Sequence, residues 1–167
     1  MIKFFLSFLV IQSFLFTLTI LPSVFWSVVI PFTKSVAATS AWLIMLFDAN
    51  VLSDGIMVRN ASNGFAVTIL PGCNGLEAVV ILVSAMLAFH APWVHKLVGI
   101  LLGFLLVQVA NILRIISLFY LGQWNMNLFE WAHLYIWQAL IMLDALIIFL
   151  IWLRFLPCKL NQSLASS

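Results

Sequence analysis

Four stretches of this sequence, roughly residues 3 to 24, 74 to 91, 96 to 121 and 132 to 154, are apolar with only isolated polar interruptions. About 20 mostly apolar residues suffice for a helix to cross the hydrocarbon of a bilayer. Lipid offers no partner to a backbone N–H or carbonyl, so an unclosed chain crosses only as helix. The expected fold is therefore all-α, a polytopic transmembrane helical bundle within a single integral membrane domain over residues 1–167. Charged residues make up only 7% of the chain, against roughly 25% in a soluble domain, which excludes a water-soluble fold. The formal charge of +2 comes from scattered Lys and Arg. No basic run is present that could track phosphates, so nucleic acid is not an expected partner. There is no P-loop pattern either, and neither cofactor nor metal is expected.

The amino terminus, MIKFFLSFLVIQSFLFTLTIL, carries one Lys before a long apolar run. That run exceeds the core of a secretory signal and no small-residue cleavage pattern follows promptly, so an uncleaved helix is expected. A fifth segment, about 32 to 47, follows Pro31 and mixes Lys34, Ser35, Thr39 and Ser40 with Trp42, Leu43 and Phe47. This pattern predicts an interfacial or re-entrant helix. Residues 48 to 72 are the longest polar stretch, in which GIMVR and FAVTIL bracket NASNG; the pattern predicts a short β-hairpin outside the membrane.

Lys and Arg in short connections favour the cytoplasmic side. With four spans, Lys3, Lys96, Arg154 and Lys159 fall on one side and Lys34 and Arg59 on the other. Both termini and the HAPWVHK loop are then cytoplasmic, and residues 25 to 72 and 122 to 131 lie outside. A fifth span would reverse the amino terminus. Cys73 and Cys158 fall near opposite ends of such a bundle, and no disulfide between them is expected.

Short connections make the last three spans antiparallel neighbours. The start of one, the end of the next and the start of the last must then share a face. Cys73 lies at the first of these places, Arg114 about two turns before the second, and His133 at the third. A thiol, a guanidinium and an imidazole thus meet at one level. Pro71 and Gly72 precede Cys73, and the positive end of the following helix favours negative charge on the sulfur. A cysteine in a membrane helix is commonly a packing residue. Its position at a helix start, with Gly72 and Gly75 allowing a substrate backbone to approach, points instead to a nucleophile. Asn74 precedes this helix and Glu77 lies four residues after Cys73; Asn74 to Glu77 fits a capping box.

Arg114 sits inside a span, where an unpaired Arg costs about 2.5 to 3.5 kcal/mol at the centre. It could snorkel to the interface, or serve as an oxyanion partner in acyl transfer. Asn111, three residues earlier on the same face, could orient it or bind substrate. His133 is suited to take the thiol proton and return it to a leaving amine. Asp144 lies three turns below His133, roughly 16 Å deeper, where an interhelical hydrogen bond with a group such as Gln108 is expected. His90 and His95 occupy the opposite loop without acidic or thiol companions.

PGCNG opening a span, NILR near the end of the next and EWAHLY opening the last together resemble the exosortase and archaeosortase family of membrane cysteine transpeptidases. LGQWN and FEWAHLYIWQALIMLDA are similar to the short exosortase H branch, and the likeness covers roughly residues 56 to 154. The resemblance implies that Cys73 is the nucleophile and that Arg114 and His133 complete the site. It also implies membrane-anchored protein substrates with a carboxy-terminal sorting tail: a short motif similar to Ile-Pro-Thr-Leu, a hydrophobic helix and a basic cluster. Cleavage would take place on the outer face of the bacterial inner membrane. Larger relatives have more spans, so this chain resembles a reduced core. Two other functions fit the composition. A small transporter would use Glu77, Arg114, Asp144 and the histidines as a polar path, and a non-enzymatic subunit would bind sorting tails through its helices.

Overall fold

The structure, a computed structural model, describes residues 2–156. Cys158 and Lys159, and with them the expectations about a disulfide and about the last basic charge, lie outside the described residues. Five helices and a small sheet make up the fold. They are α1 (Ile2–Ile20), α2 (Pro22–Met45), strands β1 (Val51–Asp54), β2 (Met57–Asn60) and β3 (Ala66–Thr68), α3 (Leu76–Ala88), α4 (Trp93–Trp124) and α5 (Met126–Arg154). The chain is a polytopic helical bundle, and α1, α2, α4 and α5 are each long and apolar enough to cross a membrane.

Local chemistry sets the boundaries. Leu21, extended at ψ 129° ahead of Pro22, separates α1 from α2. Pro92 precedes α4, and the Asn125 side chain accepts from the N–H groups of Asn127 and Leu128 to cap α5. α3 is shorter than the expected span over residues 74 to 91. Gly75 in the left-handed region (φ 78°) starts it late and Phe89, extended at ψ 143°, ends it early. Its 13 residues cover about 20 Å, short of the roughly 30 Å of hydrocarbon. The segment over 32 to 47 also differs, being the continuation of α2. A π-helical turn over Phe25–Val29 lies just before Pro31. It widens the helix where the proline ring would meet the carbonyl of Ser27, so Pro31 does not end it.

Contacts fix the order of the helices. Phe4 packs edge-on against Phe89, 6.0 Å between centroids, while Phe16 and Ile20 line a cavity with Gly72 and Leu76. α1 therefore runs antiparallel to α3. Trp152 of α5 lies against Gly99 of α4, where even a Cβ would collide with its indole, and its Nε1–H donates to the His95 carbonyl at 3.1 Å. At the same end Lys96 donates to the Leu87 carbonyl at 2.8 Å and closes the last turn of α3. α2 behaves differently, since both of its ends sit at the Cys73 end of the bundle. Trp26 and Val29 border Pro71 and Gly72, and Ile44 packs with Val51, Val58, Ile115 and Phe119.

The sheet has order β1-β2-β3 and is antiparallel throughout. The expected hairpin is β2–β3, with Val58 opposite Val67. β1 is an addition to it, joined through Gly55 at φ 62°, the left-handed position that a two-residue hairpin turn demands. Two apolar clusters hold the molecule together. One joins the sheet to α2 and to the end of α4 around Ile44, Ile69 and Phe119. The other joins α3, the start of α4 and the end of α5 around Leu82, Met86 and Trp152.

Candidate active site

The turn between β3 and α3 carries Cys73. The Cys73 N–H donates to the Leu70 carbonyl at 2.9 Å, folding the chain back towards β3. Gly72 (φ 95°) and Gly75 (φ 78°) take conformations that a side chain resists. The Asn74 side chain secures the turn from both directions. Its Oδ1 accepts from the Leu76 N–H at 3.0 Å, and its Nδ2 donates to Thr33 Oγ1 of α2 at 2.9 Å. The expected capping box is not made: the helix takes Gly75 as its N-cap without a side-chain bond, and Asn74 holds the Leu76 N–H rather than that of Glu77. The Glu77 carboxylate lies over Gly72 instead, 3.4 Å from the position a Cβ would take there.

Arg114 comes from α4, one of the largest fully buried side chains at 2% exposure. Its Nη2 donates to Cys73 Sγ at 3.6 Å. Its Nη1 is buried and has no partner among the described residues. An arginine that snorkelled to the interface would be exposed, so the burial removes that reading. His133 lies in a second π-helical turn, Ala132–Ile136, near the start of α5. Turns of this kind are rare and gather at functional sites. The ring stacks on Phe129 at 5.8 Å and 5°, and its Nδ1 is buried without a partner. Cys73, Arg114 and His133 line one cavity of about 160 Å³, which residues 65 to 69 around β3, and Met126 and Phe129 of α5, also line.

The remaining candidates divide. Asn111 is 1% exposed and makes no hydrogen bond to Arg114; neither atom of its amide has a partner. It packs against Gly75, where a Cβ would lie 3.1 Å from its Cγ. Gln108 borders the same glycine and is likewise unpartnered, so the expected bond to Asp144 is not formed. His90 and His95 lie at the far end, with Lys96 and the Trp152 contact. No group of three potential metal ligands occurs among the described residues.

Thr33 and Phe129 were not singled out from the sequence, and β3, expected as part of a hairpin, was not expected to line the site. Thr33 carries no local signal, being one hydroxyl in an apolar helix. Phe129 stands four residues before His133, and that spacing on a helix was the available sign.

A model of the transmembrane exosortase family matches residues 3–152. The chain belongs to the exosortase family. The match extends over the first helix, which the resemblance in PGCNG, NILR and EWAHLY did not reach. No curated protein and no solved structure matches the chain. As an exosortase-family protein with four helices able to cross a bilayer, it is a multi-pass membrane protein, of a family associated with protein sorting and transpeptidation.

Proposed function

We propose that this exosortase-family chain is a cysteine endopeptidase and transpeptidase. It cleaves the carboxy-terminal sorting tail of exported proteins at the outer face of the inner membrane. The observation that carries the proposal is the contact of Arg114 Nη2 with Cys73 Sγ at 3.6 Å, in a cavity that His133 also lines.

In the proposed reaction His133 takes the Cys73 proton and the sulfur attacks the scissile carbonyl carbon, forming a C–S bond. Negative charge moves onto the carbonyl oxygen. The unpartnered Arg114 Nη1 is available to donate to it, while Nη2 stays with the sulfur. Collapse breaks the C–N bond. The tail leaves as an amine carrying the proton from His133, and the rest of the substrate remains as a Cys73 thioester. An amine or a water then attacks the thioester and restores the thiol. Gly72, Asn74, Gly75 and Glu77 shape the turn that presents Cys73, and Asn111 supports it from α4 through Gly75.

Cys73→Ala is expected to insert normally and to leave tails unprocessed. The test is electrophoretic mobility of a reporter bearing an Ile-Pro-Thr-Leu tail, together with hydroxylamine-sensitive trapping of the thioester in wild type. Continued cleavage by a well-expressed Cys73→Ala protein would sink the proposal.

A further inference from the structure

A strand at the edge of a sheet offers a row of unpaired N–H and carbonyl groups. Proteins commonly blunt such edges with charge, proline, a bulge or a covering element. β3 is an edge, because the order β1-β2-β3 leaves it one neighbour. β3 is short, three residues, which is one such protection, but the others in its own sequence are missing. The segment FAVTIL has no charge and no proline, and its pairing with β2 runs regularly from Met57–Thr68 to Arg59–Ala66. Ala66 and Thr68 are exposed.

The direction of the free groups follows from the bonds already made. The Phe65 carbonyl accepts from the Asn60 N–H at 2.8 Å and the Ile69 N–H donates to the Ile56 carbonyl at 2.9 Å. In an antiparallel ladder the main-chain groups of alternate residues point to opposite sides. Phe65, Val67 and Ile69 therefore point at β2, and the N–H and carbonyl of Ala66 and Thr68 point away from it. Residues 65 to 69 all line the cavity that holds Cys73, Arg114 and His133, which Met126 and Phe129 also border, so the cavity runs along β3. At about 160 Å³ the cavity is smaller than the 300 Å³ or more of a usual small-molecule site. It suits a stretch of extended main chain better than a compact ligand. Cys73 follows Thr68 by five residues, and its turn folds back towards the strand.

We infer that the free edge of β3 is the docking edge for the substrate. The extended segment of a sorting tail adds as a fourth strand beside Ala66 and Thr68, with its scissile carbonyl at Cys73. This rests on the peptidase reading and adds to it a mode of recognition in which main-chain hydrogen bonds hold the segment. Only alternate residues of an added strand turn their N–H groups to β3. Proline has no N–H, so in an Ile-Pro-Thr-Leu segment the proline takes a position facing away and the threonine N–H faces β3.

Two measurements test the inference. In the full-length protein, Ala66→Pro and Thr68→Pro each remove one outward donor and leave the bonds to β2 in place. Each is expected to raise KM about five- to tenfold, the value of one lost hydrogen bond, with Cys73 alkylation by iodoacetamide unchanged. The second needs no variant: synthetic Ile-Pro-Thr-Leu peptides N-methylated one residue at a time. Methylation at Thr should slow cleavage about five- to tenfold and methylation at Leu should not. Equal sensitivity at both positions, or at neither, overturns the inference while leaving the peptidase reading intact. Failure of the unmodified peptide to form a thioester with wild type would remove the peptidase reading itself. Disulfide-linked dimers of Thr68→Cys, in a Cys73→Ala and Cys158→Ala background, would assign the edge to a second copy and overturn the inference.

Discussion

Among the described residues Arg114 is the most deeply buried charged side chain. An arginine at the centre of a span opposes insertion by about 2.5 to 3.5 kcal/mol, and this one is 2% exposed with its Nη1 unpartnered. Among the described residues no carboxylate holds it, and its side-chain partner is the Cys73 sulfur. A lysine would retain the charge but not the planar pair of nitrogens, so it could not serve the sulfur and a second oxygen together. Arg114→Lys is expected to lower kcat about 10²- to 10³-fold with little change in KM, the loss typical of one oxyanion donor. Single-turnover cleavage of a tail-bearing reporter measures it, and a loss of only about threefold would reduce Arg114 to a packing role. The meeting of Cys73, Arg114 and His133 was legible because span order alone brings them to one level. What surrounds them was not. The Asn74–Thr33 bond joins residues 41 apart, and which hydroxyl meets which amide depends on how α2 lies, a matter on which no local pattern bears.

At the scale of elements, close helix contacts in lipid rest on small residues, since lipid is as apolar as a leucine side chain and gives no hydrophobic drive between helices. Gly99 and Gly103 perform this task on one face of α4, letting in Trp152 of α5 and Leu82 of α3 respectively. Gly99→Ala would push the Trp152 indole aside and break its 3.1 Å bond to the His95 carbonyl. A destabilisation of about 1–3 kcal/mol is expected, read as a lower midpoint of thermal unfolding in detergent. Cys73 alkylation should be unaffected, because the contact lies at the far end of α4. An unchanged midpoint would mean that α5 is free to shift. Helices and the β2–β3 hairpin were legible as periodic or alternating patterns. β1 was missed although Asp54-Gly55 is a hairpin signal, because VLSD is too short to show alternation. The continuity of α2 was hidden by Pro31, whose breaking effect a π-helical turn upstream removes.

For the whole molecule, the contacts give a consistent division into two ends. Lys3 neighbours the Phe4–Phe89 contact, Lys96 caps α3, and Arg154 follows Trp152. Lys34 adjoins Thr33, and Arg59 lies in the sheet, at the Cys73 end. Positive residues favour the cytoplasm, so three against two among the described residues favours a cytoplasmic Phe89 end and an outward Cys73 end. Labelling can decide the orientation. In a Cys73→Ala and Cys158→Ala background, Ser62→Cys places a thiol in the exposed connection between β2 and β3 and His90→Cys places one in the exposed loop between α3 and α4. A membrane-impermeant maleimide added to intact spheroplasts is expected to label Ser62→Cys at once and His90→Cys only after permeabilisation. The reverse pattern would turn the molecule over and put the cavity in the cytoplasm, where an exported tail could not meet it. Labelling of both from the outside would contradict a crossing by α3. That helix merits the check, because its 13 residues cover about 20 Å and require the bilayer to thin around it or its flanking turns to enter the headgroups.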